Sequence, residues 1–426
     1  MENESGSEHD NGPCQQTPYT MSRKLYGWFA VLLVAPWLLI VAGMGPQWFQ
    51  QCGQAWKNIG TGTGEKIQHC PPGPWGNLQF TRIAIEPPDQ FVTFAFDPSR
   101  EIVWIFPGFT EAMLARLWLD VGLGADQQKE LMATLRRDGT AGNLVLVPSR
   151  GLILHLTPEA RARIYTVLGR FPENPQQMFP VCFPAAEVDD WFADSKLSEA
   201  TVATIKRLLY RRGRVFLFAD QELLLSLLET RQERVYALKM LARTSTLLLK
   251  LEVSPDADLD ALAAYWGRGP RTKDIRSLLT SLPKVPGGFK IDAGHLLPMM
   301  ARKLLYAYPN PDLDANALRQ DCNWTSMNFF RMEPDNRFLA AKNVQQAIET
   351  EYYPVLGDPA FGDVLLFLGA RGEVRHSCVY VAAGIFYTKN GPQPHVPWCF
   401  MELDDVQAIY EGEVPLRMQV FRNCKF

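Results

Sequence analysis

From Leu25 to Trp56 the chain carries no charged side chain, and Arg23 and Lys24 stand immediately before that stretch. Residues 25–45 are apolar enough, and long enough as a helix, to cross the hydrocarbon core of a bilayer. Pro36 does not forbid the span, because a membrane helix tolerates proline where its freed carbonyls find other partners. The two basic residues favour a cytoplasmic N-terminus, and Trp28 and Trp48 are placed for the two interfaces. A cleaved signal peptide is the rival reading, with Val41 and Gly43 as small residues before a cut, although the polar leader is long for one. A buried core helix is a third. The expectation is a single-pass protein of the cytoplasmic membrane, anchored through 25–45. Residues 1–24 form a disordered cytoplasmic tail, and the remainder lies outside the membrane.

That remainder is long enough for two or three domains. A net charge of −3 across 426 residues speaks against nucleic acid as a partner. The eight cysteines make no CxxC and the six histidines no HExxH, so neither a metal nor a cofactor is expected. No glycine-rich phosphate loop appears. In an oxidising compartment Cys52 could pair with Cys70, and Cys399 with Cys424, though spacing alone decides neither.

Residues 46–75, rich in Gly, Thr and Pro, read as a linker. Residues 76–290 read as an extracytoplasmic α+β accessory region of one or two subdomains. Strands are expected at 80–85, 91–96, 102–106, 144–147 and 152–156, with further strands at 215–219 and 246–253. Helices are expected after Thr110, Thr157 and Ser198, each a good N-cap. Asp220 reads as the cap of a long helix. His155 alternates with leucines and reads as a packing residue. The stretch 283–288 closes the region as a linker, and 291–426 form the last domain.

Two stretches of that domain carry chemistry. Asp321-Cys322-Asn323-Trp324-Thr325-Ser326 reads as a polar turn delivering a cysteine to the start of an apolar helix, where the macrodipole favours thiolate. Gly362-Asp363-Val364-Leu365-Leu366-Phe367 and His376-Ser377-Cys378-Val379-Tyr380 read as successive strands, the second bringing an imidazole. A thiol and an imidazole, remote in sequence and joined by the fold, are the minimum equipment of a cysteine hydrolase. Taken singly, a cysteine or a histidine in such a place is more often core than catalyst. Cys378, on the same strand face as His376, reads as packing.

In their order and spacing these segments resemble the NlpC-type cysteine peptidases, papain-like cell-wall endopeptidases, over about 306–410. The resemblance implies a C-terminal papain-like α+β domain with Cys322 as nucleophile and His376 as base. It also implies peptidoglycan stem peptides as substrate. Other amides or acyl esters suit the residues equally, and so does transfer of the acyl group to an amine. Two departures stand out. Asn323-Trp324 replaces a small pair after the cysteine, and the family's second histidine, on the strand after His376, is missing. That absence leaves open a non-catalytic scaffold on the same fold.

Hairpin counting suggests a substitute for the missing histidine. If Ala382-Ala383-Gly384 is the turn and Val381 pairs with Ile385, Asn390 falls opposite His376 and can orient its ring. A loop shifted by one residue puts Thr388 there instead. Asn390 also belongs to an Asn-Gly turn dipeptide, which explains it without chemistry. Tyr308, in an aromatic, proline-rich segment before the cysteine, either lines the cleft or merely packs. Asp321 borders the thiol.

Overall fold

The computed structural model describes residues 67–425, apart from 93–96, 98–99, 140–141, 186, 194, 282–287, 311–318 and 411–414. The tail, span, most of the first linker, Cys14, Cys52 and the body of the 283–288 linker lie outside the described residues. Among those described, no helix is long and apolar enough to cross a membrane.

The described chain is a mixture of helices and four antiparallel sheets. The largest has six strands, in the spatial order Tyr352–Val355, Arg417–Asn423, Val364–Leu368, Val374–Ala382, Ile385–Lys389 and Trp398–Glu402. A second, four-stranded sheet is built on Asn77–Ile85 and Thr244–Val253. These pair along their whole length, from Asn77 opposite Glu252 to Ile85 opposite Thr244. Two three-stranded sheets lie between those strands in sequence.

The hydrophobic cores divide the chain differently from the boundary expected near 290. Leu78, Phe80, Leu247 and Leu249, from the proposed accessory region, share one core with Trp324, Val379 and Phe400 of the last domain. Thr246 stitches the sheets together: its hydroxyl donates to Phe400 O at 3.0 Å and accepts from Phe400 N–H at 3.2 Å. A separate core collects Trp104, Trp118, Ile164, Phe183, Phe218 and Leu241. Residues 86–243 are therefore an insertion between two paired strands, and the rest of 67–425 is one body. The reason is non-local strand pairing, which no linker composition announces.

Locally, most helix starts follow their caps. The Thr110, Thr157 and Ser198 hydroxyls accept N–H groups at the starts of Glu111–Asp120, Pro158–Leu168 and Glu199–Leu208. Two strand expectations fail. Residues Arg150–His155 form a helix capped by Ser149, and His155 is exposed, its Nδ1 bonded to Gly151 O. Asp89–Val92 is a short 3₁₀ turn where a strand was expected to begin, and 93–96 lie outside the described residues. The long helix after Asp220 is two, Gln221–Leu227 and Arg231–Leu241, the second opened by a Thr230–Glu233 capping box. Asp220 does not cap; its carboxylate accepts from the Tyr165 hydroxyl and faces Arg161.

Candidate active site

Cys322 opens the helix Cys322–Asn328, and Asp321 is its N-cap, Oδ1 accepting Trp324 N–H at 2.8 Å. The helix is clamped at its far end by Asn328, whose amide spans Trp324 O and Asp335 O. Cys322 lines a cleft of about 1160 Å³ between the insertion and the main body. Asp321, Asn323, Asn390, His395 and Tyr410 line the same cleft, with Met178 and Phe179 contributed by the insertion.

The thiol reaches the six-stranded sheet where two strands part. Tyr380 exchanges backbone hydrogen bonds with Gly362 and Asp363, so by alternation the Ser377 N–H points the other way, toward Ile385–Lys389. The ladder to that strand ends at Val379–Tyr387. At this opening the backbone N–H groups of Ser377 and Asn323 act on the sulfur. The Ser377 hydroxyl donates to Asn323 Oδ1 at 3.0 Å.

His376 is next to Ser377 in the chain and therefore lies on the opposite face. It pairs with Phe367, whose side chain belongs to the core beneath the Leu403–Tyr410 helix together with Cys378 and Val406. Val379 and Val381 pack with Trp324 on the other side. Tyr410 stacks on the imidazole, which is 0% exposed. The expected Cys322–His376 hydrogen bond is not formed: among the described residues Nδ1 has no partner. The two groups approach the same splayed strand ends from opposite faces.

The ring's other nitrogen is held by Thr388, not Asn390. Nε2 lies 2.9 Å from Thr388 Oγ1. The Thr388 hydroxyl donates to Asn390 Oδ1 at 3.4 Å, and Asn390 Nδ2 donates to Met401 Sδ at 2.9 Å. With the threonine proton spent on Asn390, Nε2 is the donor, and Nδ1 carries a buried lone pair. The counted register is nevertheless met at Tyr380–Phe386 and Val379–Tyr387. Beyond Val379, where the ladder ends, the strands splay, and the side-chain contact falls two residues from the counted partner, on the same-face neighbour Thr388.

Burial governs the charges. It pushes the Cys322 thiol up to about 11, with the Asp321 carboxylate adding to the rise and Ser377 opposing it. It pushes His376 down to about 3. The resting pair is neutral, not the ion pair expected from the helix dipole. A helix of seven residues has a small dipole, and its N-terminus is already answered by Asp321.

The remaining expected residues divide. Tyr308 is not among the cleft-lining residues: its ring packs on Phe91 at 5.5 Å, and its hydroxyl is buried without a partner among the described residues. Asp363 is structural, accepting from Arg422 Nε at 2.9 Å, Arg422 Nη2 at 2.7 Å and Arg268 Nη1 at 3.1 Å. Gly362, with φ +87°, lies so close to Phe330 that a Cβ would fall 2.1 Å from its ring. Cys399 is a buried thiol in the core with Cys378, whereas Cys424 is exposed at the end of the last strand, so the suggested pair is not made. No cluster of three or more metal-binding side chains occurs among the described residues.

Ser377, Lys389, His395 and Tyr410 escaped the sequence reading. A lysine closing the apolar run Ile385-Phe386-Tyr387-Thr388 was a usable signal. Tyr410 had none, since only the fold brings it to His376. No family model, curated protein or solved structure matches the chain.

Proposed function

We propose that the protein is a cysteine hydrolase that cleaves an amide through an acyl-thioester on Cys322, with a peptide-like substrate lying in the cleft. The observation that carries this reading is Cys322 at the head of its helix, lining the cleft with the N–H groups of Ser377 and Asn323 acting on its sulfur. His376 has one nitrogen fixed by Thr388 on the opposite face of the sheet.

In the proposed cycle the Cys322 sulfur gives its proton to water in the cleft and attacks the substrate carbonyl. The tetrahedral adduct then expels the amine, which takes a proton from water. A second water cleaves the thioester, releasing the acid and returning a proton to the thiol. The N–H groups of Ser377 and Asn323 beside the sulfur are the donors available to the developing oxyanion. His376, on the opposite face and covered by Tyr410, becomes the base only where the splayed strand ends open toward the thiol. A peptidoglycan stem peptide as substrate rests on the resemblance to NlpC-type peptidases alone. Attachment to the outer side of a membrane rests on residues 25–45.

The neutral resting pair and the covered imidazole favour a second reading, a non-catalytic scaffold that binds peptide in the same cleft. Alkylation separates the two. Iodoacetamide at neutral pH is expected to modify Cys322 ahead of Cys378 and Cys399, and Cys322→Ser to abolish hydrolysis of a peptidoglycan digest. Hydrolysis that persists in Cys322→Ser removes the nucleophile. A Cys322 as inert as the core thiols leaves the scaffold.

A further inference from the structure

Lys389 closes the Ile385–Lys389 strand and is 0% exposed. Alternation places it with Ile385 and Tyr387 on the face that carries the Cys322 helix, opposite the face of Thr388 and His376. Its Nζ donates to Gly391 O and, at 3.1 Å, to Gln393 O. It also sits 5.7 Å from the centre of the Trp398 ring. The Trp398 indole donates to Thr325 Oγ1 at 2.9 Å, in the first turn of the helix that Cys322 opens. Among the described residues Lys389 forms no salt bridge with a carboxylate; carbonyls and a ring face hold it. A leucine or methionine would pack in that strand without the desolvation cost of an ammonium.

The charged and titratable groups whose charges act on Lys389 are Asp321, Cys322, Cys399 and Arg319, and His395 in turn feels its charge. Asp321 is engaged in capping the helix, and Cys399 is sealed in the core. Cys322 is the cleft-lining group among them that changes charge in a thioester cycle.

We propose that Lys389 is a positioning residue that supplies positive charge to the Cys322 thiolate. The inference rests on the reading of Cys322 as nucleophile and deepens it. In that role Lys389 forms no bond to substrate and transfers no proton. Its ammonium lowers the free energy of the anionic sulfur before attack and again when the thioester is cleaved. The coupling is reciprocal: whatever the ammonium does for the thiolate, the thiolate does for the ammonium. Burial, opposed by Asp321 and Cys322, brings the lysine down to about 7, so it carries its charge below that pH and loses it above. The buried imidazole across the sheet is neutral and cannot take this role at rest.

The test is the pH dependence of Cys322 alkylation by iodoacetamide in the full chain, read by mass spectrometry. Lys389→Met removes charge and donors. Lys389→Gln removes the charge but keeps N–H donors for the two carbonyls. Both are expected to slow the reaction about tenfold at pH 6, where Lys389 is charged, and to leave it little changed at pH 9, where it is neutral, with Lys389→Arg restoring most of the rate at pH 6. A rate at pH 6 unchanged in both neutral variants overturns the inference while leaving Cys322 as nucleophile. A slowing in Met alone also overturns it, since that marks a structural role. A wild-type thiol inert to alkylation overturns the nucleophile and this inference together.

Discussion

Tyr410 lies flat on His376, with ring centroids 4.0 Å apart and planes inclined by only 16°. Tyr410 lines the cleft while the imidazole beneath it is fully buried, so the phenol ring separates the base from the space a substrate would occupy. Burial is the cause of the low imidazole value, about 3. Tyr410→Ala is expected to let water onto the ring and raise it toward an ordinary histidine, read as the pH midpoint of the imidazole NMR shifts. The linkage sign follows. A folded value below the unfolded one gives stability that is present above about pH 6.5 and lost as pH falls through about 3. The wild type should therefore weaken in acid, and the variant should show a shallower acid slope. At neutral pH the variant should be less stable, by about 3 kcal/mol, through loss of the aromatic ring. His395, brought down to about 4 by burial and then by Lys389, adds a slope common to both proteins.

Thr388 gives a cleaner test of how the ring is held. Thr388→Val removes the acceptor for Nε2–H and leaves a buried donor unpaired, at a cost of about 1–3 kcal/mol in urea unfolding. Thr388→Ser should recover most of that. Asn390→Ala should cost less, because Asn390 touches the hydroxyl and not the ring. Equal losses in the Thr388→Val and Asn390→Ala variants would put the two residues on the same footing.

The wall of the cleft carries its own pH dependence. Arg82 gathers Glu187 at 3.1 Å, Asp405 at 2.6 Å and Glu402, joining insertion and body. Burial, opposed by Arg82 and reinforced by Asp405, lifts Glu402 to about 7. A folded value above the unfolded one contributes stability that is complete below about pH 4.5 and is lost as pH rises through about 7. Glu402→Gln is expected to narrow the difference in Tm between pH 5 and pH 8, while Arg82 keeps Asp405 and Glu187. A pH difference as large in the variant as in the wild type would exclude Glu402 as its source.

What could be read from the residues was what depends on near neighbours. Asp321 caps its helix, and Ser377, Cys378 and Val379 alternate across their strand as expected. The same alternation, applied to the cysteine helix, places Ser377 and not His376 on the thiol's face. That consequence needed the packing side of the helix, which no local pattern states. Thr388 replaced Asn390 because strands splay once pairing ends, and where a ladder ends is a tertiary outcome. Residues 150–155 alternate like a strand, but over six residues a helix period fits as well, and the Ser149 cap decides for helix.

The least legible feature was the insertion, and it yields the broadest test. Ile85 and Thr244 are directly paired, so their Cα atoms are about 4.5–5.5 Å apart and a two-residue turn can join the strands. Neither core of the main body contains a residue from 86–243. Among the described residues the insertion's own core borrows only Ala408 from outside. Among the described residues the links between the two include Arg82–Glu187, Arg214–Asp404 at 2.7 Å, Arg212 Nη2 donating to Ile409 O at 2.9 Å, and the Phe91 ring on Tyr308 at 5.5 Å. Replacing 87–242 by an Asn-Gly turn should leave a body that folds in one cooperative step and keeps the His376–Thr388 hydrogen bond. One wall of the cleft would be gone, so binding of an extended peptide should weaken far more than alkylation of Cys322 by a small reagent. A body that cannot fold without the insertion would show instead that the two cores depend on each other.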